Sequence, residues 1–331
     1  MNILLTGGLG YVGSHISINL LLSGYNVFII DNLSNSKISV LSSIKKVAKK
    51  NVFFEKIDLF NKKKVQKFFE NNTINLVIHL AGSKSVEESE SNLMKYYNNN
   101  IVTSVNLLEA MNKNKVKNII FSSSATVYGI PKKVPIKESD KVNPINTYGF
   151  TKSVIENLII QMSKKNLLNY VILRYFNPAG LHHSGLILEN PKGVPTNLFP
   201  FLLNVINGKF AFLKIFGNDY KTKDGTGARD YIHIEDLAQA HVKAIKLFKA
   251  DGKAKYIFNI GTGKSTTVLE ILNALKKYCN INIKYKFFPR RIGDLCEIYN
   301  NVTYAHKKLK WESKKTIKDI CLSLITHLSK K

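Results

Sequence analysis

The chain opens with a short apolar run, Ile3-Leu4-Leu5, that passes directly into Thr6-Gly7-Gly8-Leu9-Gly10-Tyr11-Val12-Gly13. A glycine turn set between a first strand and a helix restricts the possible folds more than any other stretch of the sequence. It satisfies G-x-G-x-x-G at Gly8, Gly10 and Gly13, and a second spacing begins at Gly7. Glycine is required where backbone N–H groups must close on a pyrophosphate at the positive end of a helix. Asp31 ends the next apolar run, 18 residues past Gly13. A carboxylate at that place accepts hydrogen bonds from the adenosine ribose hydroxyls and repels a 2′-phosphate, which favours NAD over NADP. Asp58, after the third apolar run, is within reach of the adenine end, and Ala81-Gly82, after the fourth, lets backbone approach the cofactor.

Apolar runs and amphipathic stretches alternate behind this turn. Strands are expected over 2–6, 25–31, 51–57, 74–80, 116–123 and 169–176, and helices over 11–23, 37–50, 61–71, 92–113 and 147–166. The alternation predicts an α/β fold, a doubly wound parallel sheet of the Rossmann type whose strands are buried on both faces. Near 177 the rhythm breaks into loops rich in Gly, Pro and Asn. Helices near 198–207, 235–249 and 267–278 and a strand at 256–260 follow. The expected division is a nucleotide-binding domain over 1–176, to which 230–260 returns, and a second, smaller mixed α/β lobe over 177–331.

Composition closes several other routes. Of 331 residues 44% are apolar and 22% charged, enough to bury a core and too apolar for general disorder. No apolar run approaches the roughly 18 residues of a membrane span, and the N-terminus lacks a secretion signal, so a cytoplasmic location is expected and a membrane partner is not. Cys279, Cys296 and Cys321 are odd in number and share no ligand spacing. Neither disulfides nor a metal centre is expected. His79 and the pair His182-His183 have no ligand partners at metal spacing and read as structural or as loop residues near the substrate. The formal net charge of +26 would ordinarily suggest a polyanionic partner. Only four of the 49 basic residues are Arg, however (Arg174, Arg229, Arg290 and Arg291), and the Lys is spread along the whole chain. That distribution describes a solvated Lys-rich surface rather than a nucleic-acid face, and it marks the Arg as positions that need a planar fork.

Tyr148-Gly149-Phe150-Thr151-Lys152 puts a phenol and an ammonium one turn apart on a helix. An ammonium beside a phenol lowers its pKa from about 10 towards neutrality, as a general base at pH 7 requires. By itself this pair is common on amphipathic helices. Its weight rises because Ser122-Ser123-Ser124-Ala125-Thr126-Val127-Tyr128-Gly129 leaves the fifth strand at the carboxyl edge of the sheet, where open α/β folds bind ligands.

Together the glycine turn, Asp31, the 122–129 segment and Tyr148-x-x-x-Lys152 resemble the extended short-chain dehydrogenase/reductase superfamily. Leu173-Arg174-Tyr175-Phe176-Asn177-Pro178, Asp224-Gly225-Thr226-Gly227-Ala228-Arg229-Asp230-Tyr231-Ile232-His233 and Pro289-Arg290-Arg291-Ile292-Gly293-Asp294 sharpen the resemblance to its UDP-glucose (UDP-galactose) 4-epimerase family. The match runs from Asn2 to the Trp311 region. It implies NAD as cofactor, a UDP-hexose substrate held by the 177–331 lobe, a homodimer, and reversible epimerisation of UDP-galactose to UDP-glucose through a 4-keto sugar in galactose metabolism.

The resemblance also implies residue roles. Tyr148 would take the 4-hydroxyl proton, Lys152 would tune it and grip the nicotinamide ribose, and Ser124 would assist at the same oxygen. Cofactor neighbours would be Gly7, Gly10, Tyr11, Val12 and Gly13 in the first turn. Asp31, Asn32 and Asn35 would follow the second strand, and Asp58 and Leu59 the third. Leu80, Ala81, Gly82 and Lys84 would follow the fourth, with Asn99, Ser122 and Tyr175 beyond. The UDP-sugar would meet Phe176, Asn177, Asn197, Leu198, Lys214, Phe216, Arg229, Tyr231, Arg291 and Asp294. Ile298 aligns with a size gate for N-acetylhexosamines or is a plain core residue. Arg174 and Arg290 fit a ligand role or a structural ion pair equally. The acidic pair Glu87-Glu88 has no account at this level. A 4,6-dehydratase would need an acidic pair beside Ser124, where Ala125 and Thr126 stand; epimerases for uronates or pentoses, and a silent NAD-binding scaffold, are the remaining alternatives.

Overall fold

A computed structural model of the protein describes residues 1–250, 253–291 and 293–328; Ile292, part of the basic motif, lies outside the described residues, as does the 329–331 end of the second lobe. In chain order the first half runs β1 (Asn2–Thr6), α1 (Tyr11–Leu22), β2 (Asn26–Asp31), α2 (Ser39–Ala48), β3 (Phe53–Lys56), α3 (Lys62–Asn71) and β4 (Leu76–His79). Then come α4 (Val86–Ser91), α5 (Leu93–Tyr96), a π-helical turn (Tyr97–Val102), α6 (Thr103–Lys113), β5 (Asn118–Ser124), a 3-10 turn (Ala125–Tyr128), α7 (Thr147–Lys164) and β6 (Asn169–Tyr175). Beyond Tyr175 the elements shorten: β7 (Asn177–Ala179), α8 (Leu198–Ile206), β8 (Leu213–Phe216), β9 (Ala228–Arg229) and β10 (Tyr231–His233). The chain continues through α9 (Ile234–Ala250), β11 (Lys255–Ile260), β12 (Thr266–Thr267), α10 (Val268–Cys279), β13 (Tyr285–Phe288), β14 (Glu297–Ile298) and α11 (Ile317–Leu328).

The backbone forms two compact units. The first comprises Met1–Gly129, Asp140–Tyr175 and Ala238–Phe258. Its seven-stranded sheet has the order β11-β6-β5-β4-β1-β2-β3, and the pairs from β3 across to β6 are parallel. The expected doubly wound sheet is thus present. Its chain order reverses between β1 and β4, and such a switch point leaves a crevice at the carboxyl ends of the two strands. Ile, Val and Leu fill these strands because helices cover both faces: Leu4, Val77, Ile119 and Ile172 are at most 0% exposed and pack with Phe68, Leu107, Met111 and Ile159. Truncating one such residue to Ala costs about 2–5 kcal/mol.

One expectation needs correction. The 92–113 stretch is not a single helix but α5, a π-helical turn and α6. Asn98-Asn99-Asn100 lies in that turn, and Asn100 is 1% exposed. The extra residue in the turn re-aims the Asn100 side chain to hydrogen bonds that a regular helix would not offer.

The second unit comprises Ile130–Ser139, Phe176–Leu237 and Asn259–Lys331. Its core joins α8, α10 and α11 through Phe199, Leu202, Ile271, Leu275, Ile320 and Leu324, with Leu213 and Ile215 of β8. Small sheets tie its loops together: β10 with β7, β13 with β8, and β12-β9-β14. α10 begins with a reciprocal cap in which Thr267 accepts the Glu270 N–H and Glu270 accepts the Thr267 N–H. Cys279, Cys296 and Cys321 are free thiols. Among the described residues no helix is long and apolar enough to cross a membrane.

Candidate active site

The glycine turn sits at the carboxyl end of β1, where the sheet order reverses. A Cβ on Gly13 would lie 2.5 Å from the Gly7 carbonyl oxygen, so only glycine permits this closure. α1 then starts at Tyr11 with no side-chain cap and no acidic residue in its first turn, which leaves its positive end for an anion. Asp31, 8% exposed, accepts from Leu9 N at 3.1 Å, Leu33 N at 2.9 Å and Ser36 Oγ at 2.8 Å. Its carboxylate is thereby fixed at the end of β2 beside the turn. Asn32 Nδ2 donates to Asp58 Oδ2 at 3.0 Å, joining the loops after β2 and β3; Asn35 is exposed in the first of them and Leu59 is buried in the second. At the end of β4, Leu80 N and Ala81 N both donate to Thr6 Oγ1 at 3.3 Å, and His79 bridges Thr6 Oγ1 at 2.7 Å and Ser104 Oγ at 2.8 Å. Burial lowers the His79 pKa to about 3, so the bridge is neutral. A glycine cradle, an open helix terminus and a fixed carboxylate are the set that a dinucleotide of the NAD type fits.

The catalytic candidates come together within this unit. Asn146 caps α7 by accepting Gly149 N at 2.8 Å. A Cβ on Gly149 would be 2.6 Å from the Thr126 carbonyl oxygen, so glycine lets the helix approach the 3-10 turn that follows Ser124. Tyr148 consequently hydrogen-bonds with the Ser124 side chain. Ser124 Oγ also accepts from Thr126 N at 3.2 Å and Thr126 Oγ1 at 3.0 Å. Lys152 is 5% exposed; its Nζ donates to the Ser122 carbonyl at 2.8 Å and lies 5.8 Å from the Tyr148 ring centroid.

The expected electrostatics are corrected here. Burial pushes the Tyr148 phenol up to about 12, against the Ser124 hydrogen bond, and pushes Lys152 down to about 8. Lys152 turns to the Ser122 carbonyl rather than to the phenol, and in a dry site loss of hydration outweighs an ammonium at that range. Ser122 and Tyr175, expected beside the cofactor, bond to each other: Ser122 Oγ and Tyr175 Oη are 2.6 Å apart, and Tyr175 Oη is 2.5 Å from His241 Nε2.

Several contributors were not visible in the sequence pattern. Asn100, rather than Asn99, is the buried member of its trio: Oδ1 accepts Ser83 N at 2.7 Å and Nδ2 donates to Thr151 Oγ1 at 2.9 Å. Asn99 is exposed and donates to Ser83 Oγ at 3.2 Å; Lys84 is exposed in the same loop. α4 explains the Glu87-Glu88 pair. Ser85 caps it, both acids lie in its first turn and suit its dipole, and Glu88 accepts the Tyr96 hydroxyl at 3.0 Å. α4 also caps α7, since Glu90 Oε1 accepts Thr147 N at 2.8 Å and Ser89 Oγ accepts Tyr148 N at 3.1 Å. The acceptor Ser89 and the acid Glu90 were legible as residues, but their target lies 57 to 59 positions away. Arg174 forms a buried ion pair with Glu156, which decides its reading in favour of structure.

The second unit carries the candidate UDP-sugar residues. Arg229 and Asp294 pair through Nη2 and Oδ1, and Arg229 lies on β9 opposite Ile298 of β14, whose side chain is 7% exposed. The Arg291 guanidinium lies 4.0 Å above the Phe216 ring, and Lys214 Nζ 5.3 Å from the Phe288 ring. Tyr231 is buried edge-to-face on Phe199, and Phe176 is buried with its N–H on the Ile260 carbonyl. Asn177 N donates to the Asp230 carbonyl; Asn197, exposed, donates to Glu189 at 2.9 Å just before Leu198 opens α8. Arg290 pairs with Asp219 at 2.7 Å and stacks on Tyr220 at 4.2 Å. His182 and His183, which show no ligand partner at metal spacing in the sequence, meet Glu235, with His183 Nδ1 at 2.7 Å. The other Glu235 oxygen takes Lys315 at 3.1 Å and Ser184 N donates to His182 Nδ1, so the cluster is satisfied by the protein itself.

Comparison with known proteins bears on these arrangements as a set. Residues 3–261 match the model of the NAD dependent epimerase/dehydratase family. A UDP-glucose 4-epimerase of Bacillus subtilis (strain 168) is 44% identical over 323 residues, covering 97% of this chain and 95% of the relative. A bifunctional UDP-glucose 4-epimerase and UDP-xylose 4-epimerase 1 of Pisum sativum is 41% identical over 96% of this chain and 93% of its own. The crystal structure of UDP-glucose 4-epimerase from Bifidobacterium longum in complex with NAD+ and UDP superimposes with a TM-score of 0.96 at 40% identity, covering 100% of this chain and 99% of that one. Nearly full-length matches in sequence and in fold, converging on one kind of enzyme, establish that the chain belongs to the NAD dependent epimerase/dehydratase family, among its UDP-glucose 4-epimerases.

Proposed function

We propose that this chain is an isomerase that interconverts UDP-galactose and UDP-glucose by NAD-dependent inversion at C4 of the hexose. The observation that carries the reading is the grouping of Tyr148, Ser124 and Lys152 in the same unit as the glycine turn and Asp31. When bound, NAD supplies a hydride acceptor, a positive charge that favours phenolate, and the same hydride for return.

The protein's own groups handle the proton and the grip. Tyr148 Oη takes the proton of the sugar 4-hydroxyl as C4 becomes a carbonyl. Ser124 Oγ, bonded to Tyr148, stabilises the same oxygen, and Lys152 supplies a fixed positive charge. Burial by itself pushes the Tyr148 phenol up to about 12, so the phenolate that takes the proton is the form that the positive charge of bound NAD would favour, and the same oxygen returns the proton when the hydride returns to the opposite face of the ketone. No net redox change results. Arg229 and Arg291 offer forks for the diphosphate, and Phe216 and Tyr231 offer apolar surface for the nucleotide. Anchors concentrated on UDP leave the hexose free to turn over between the two hydride transfers.

A homodimer in the cytoplasm goes with this reading. Met94, Val102, Val105 and Phe150, on α5 to α7, are large apolar side chains 38–64% exposed, the kind of surface that a second copy covers.

The test is product analysis of the purified protein with UDP-galactose and no added reductant, beside UDP-xylose, UDP-glucuronate and UDP-N-acetylgalactosamine. Formation of UDP-glucose is expected. Absence of any 4-epimer from protein that carries NAD would overturn the proposal.

A further inference from the structure

We infer that Glu156 is a positioning residue for Lys152: anchored by Arg174 and Ser123, it supplies the negative charge that keeps the Lys152 side chain an ammonium inside a dry site. The inference rests on the assignment of Lys152 to the catalytic group above.

Glu156 stands one turn beyond Lys152 on α7, on the same face. It is 3% exposed and its carboxylate is fully engaged. Arg174 of β6 grips it with both sides of the fork, Nε to Oε1 at 3.0 Å and Nη2 to Oε2 at 2.6 Å, and Ser123 Oγ of β5 donates to Oε1 at 2.5 Å. Ser123 and Arg174 are register partners across β5 and β6, so two neighbouring strands hold one carboxylate at a fixed height above the sheet. Arg174 is itself oriented by Tyr128, through Nη1 to Oη at 2.8 Å and ring contact at 4.8 Å.

Packing alone does not require this arrangement. A buried ion pair returns little net stability, because desolvation of both charges offsets their attraction, and apolar residues of similar volume often serve as well. What the pair does supply is an anchored anion one turn from a buried lysine. The groups facing Lys152 are otherwise of the wrong kind to hold its proton. His79 of β4 is neutral; Tyr148 of α7 and Tyr175 of β6 are phenols pushed up by burial; Phe121 of β5 presents a ring at 4.9 Å, and the Ser122 carbonyl a single acceptor at 2.8 Å. His241 of α9 meets Tyr175 Oη at 2.5 Å, and Arg174 of β6 is held on Glu156. Burial lowers Lys152 to about 8, with Glu156 acting in the opposite direction.

The test reads the ionisation midpoint of Lys152 directly, by competitive acetylation across pH followed by peptide mass spectrometry on the NAD-loaded protein, together with the alkaline limb of the rate profile. Glu156→Gln keeps the shape and removes the charge; the midpoint should fall by about 1 unit, and the alkaline limb with it. Arg174→Gln removes the anchor and leaves Glu156 unpaired in a dry site, where loss of hydration favours the neutral acid, so its midpoint should fall as well. A purely structural role would leave the Lys152 midpoint unchanged in both variants. Should Glu156→Gln fail to fold, the double variant leaves no unpaired ion of the pair and is compared with the unmodified protein, again with a midpoint lower by about 1 unit expected. An unchanged midpoint in the variant that folds overturns the inference. Absence of epimerisation by the unmodified protein would instead overturn the functional proposal, and the acetylation midpoints would still be read.

Discussion

The backbone N–H of Tyr148 donates to Ser89 Oγ at 3.1 Å, so the first turn of α7 is capped from a separate short helix that follows the loop after β4. Together with Glu90 on Thr147 and Asn146 on Gly149, this satisfies three N–H groups that an α-helix cannot satisfy internally. Ser89→Ala should cost about 1 kcal/mol, the usual worth of such a cap. Chemical denaturation would show it as a lower midpoint at unchanged slope. No change would mean that water or Glu90 replaces the hydroxyl.

Tyr148→Phe removes the oxygen to which the proposed mechanism assigns proton exchange with the substrate and leaves the ring in place. Turnover should fall by about 10²–10⁴-fold, the usual contribution of general acid–base catalysis, with NAD still bound. Steady-state kinetics with spectroscopic measurement of the cofactor would check both halves; full activity would remove Tyr148 from its role.

Lys152 is the buried cation whose presence costs stability. Its pKa falls from 10.5 to about 8 on folding, so below about pH 8 it is protonated in both states and the penalty is complete. Between about 8 and 10.5 the unfolded chain binds more protons, and stability rises with pH. Lys152→Met removes the charge and leaves the Ser122 carbonyl without its donor. A net gain on the order of 1 kcal/mol at pH 7 is expected, shrinking as pH passes 8, alongside loss of activity. Thermal melts at pH 7 and 9.5 would test this, and a variant less stable at pH 7 would contradict it.

Arg291 covers the face of Phe216 at 4.0 Å. Lys cannot reproduce the planar fork or its stacking, so Arg291→Lys should raise KM for UDP-galactose about tenfold and leave kcat within about twofold. A change confined to kcat would move Arg291 from grip to chemistry.

Local sequence determined the parts that depend on near neighbours. The strand–turn–helix at Gly7–Gly13 and Asp31 at the end of β2 follow from spacing, because tight turns and apolar periodicity are properties of consecutive residues. Tyr148 and Lys152, four apart on one helix, could be read the same way. Tertiary structure decided what those groups experience. Only the folded chain buries the phenol and the ammonium, turns Lys152 onto the Ser122 carbonyl, and seats Glu156 between Ser123 and Arg174. It likewise breaks the 92–113 helix to aim Asn100 at Ser83 and brings Ser89 to a partner 59 positions away. Desolvation and long-range pairing depend on which surfaces meet, and a periodic pattern states which face of an element is apolar without naming what will lie against it.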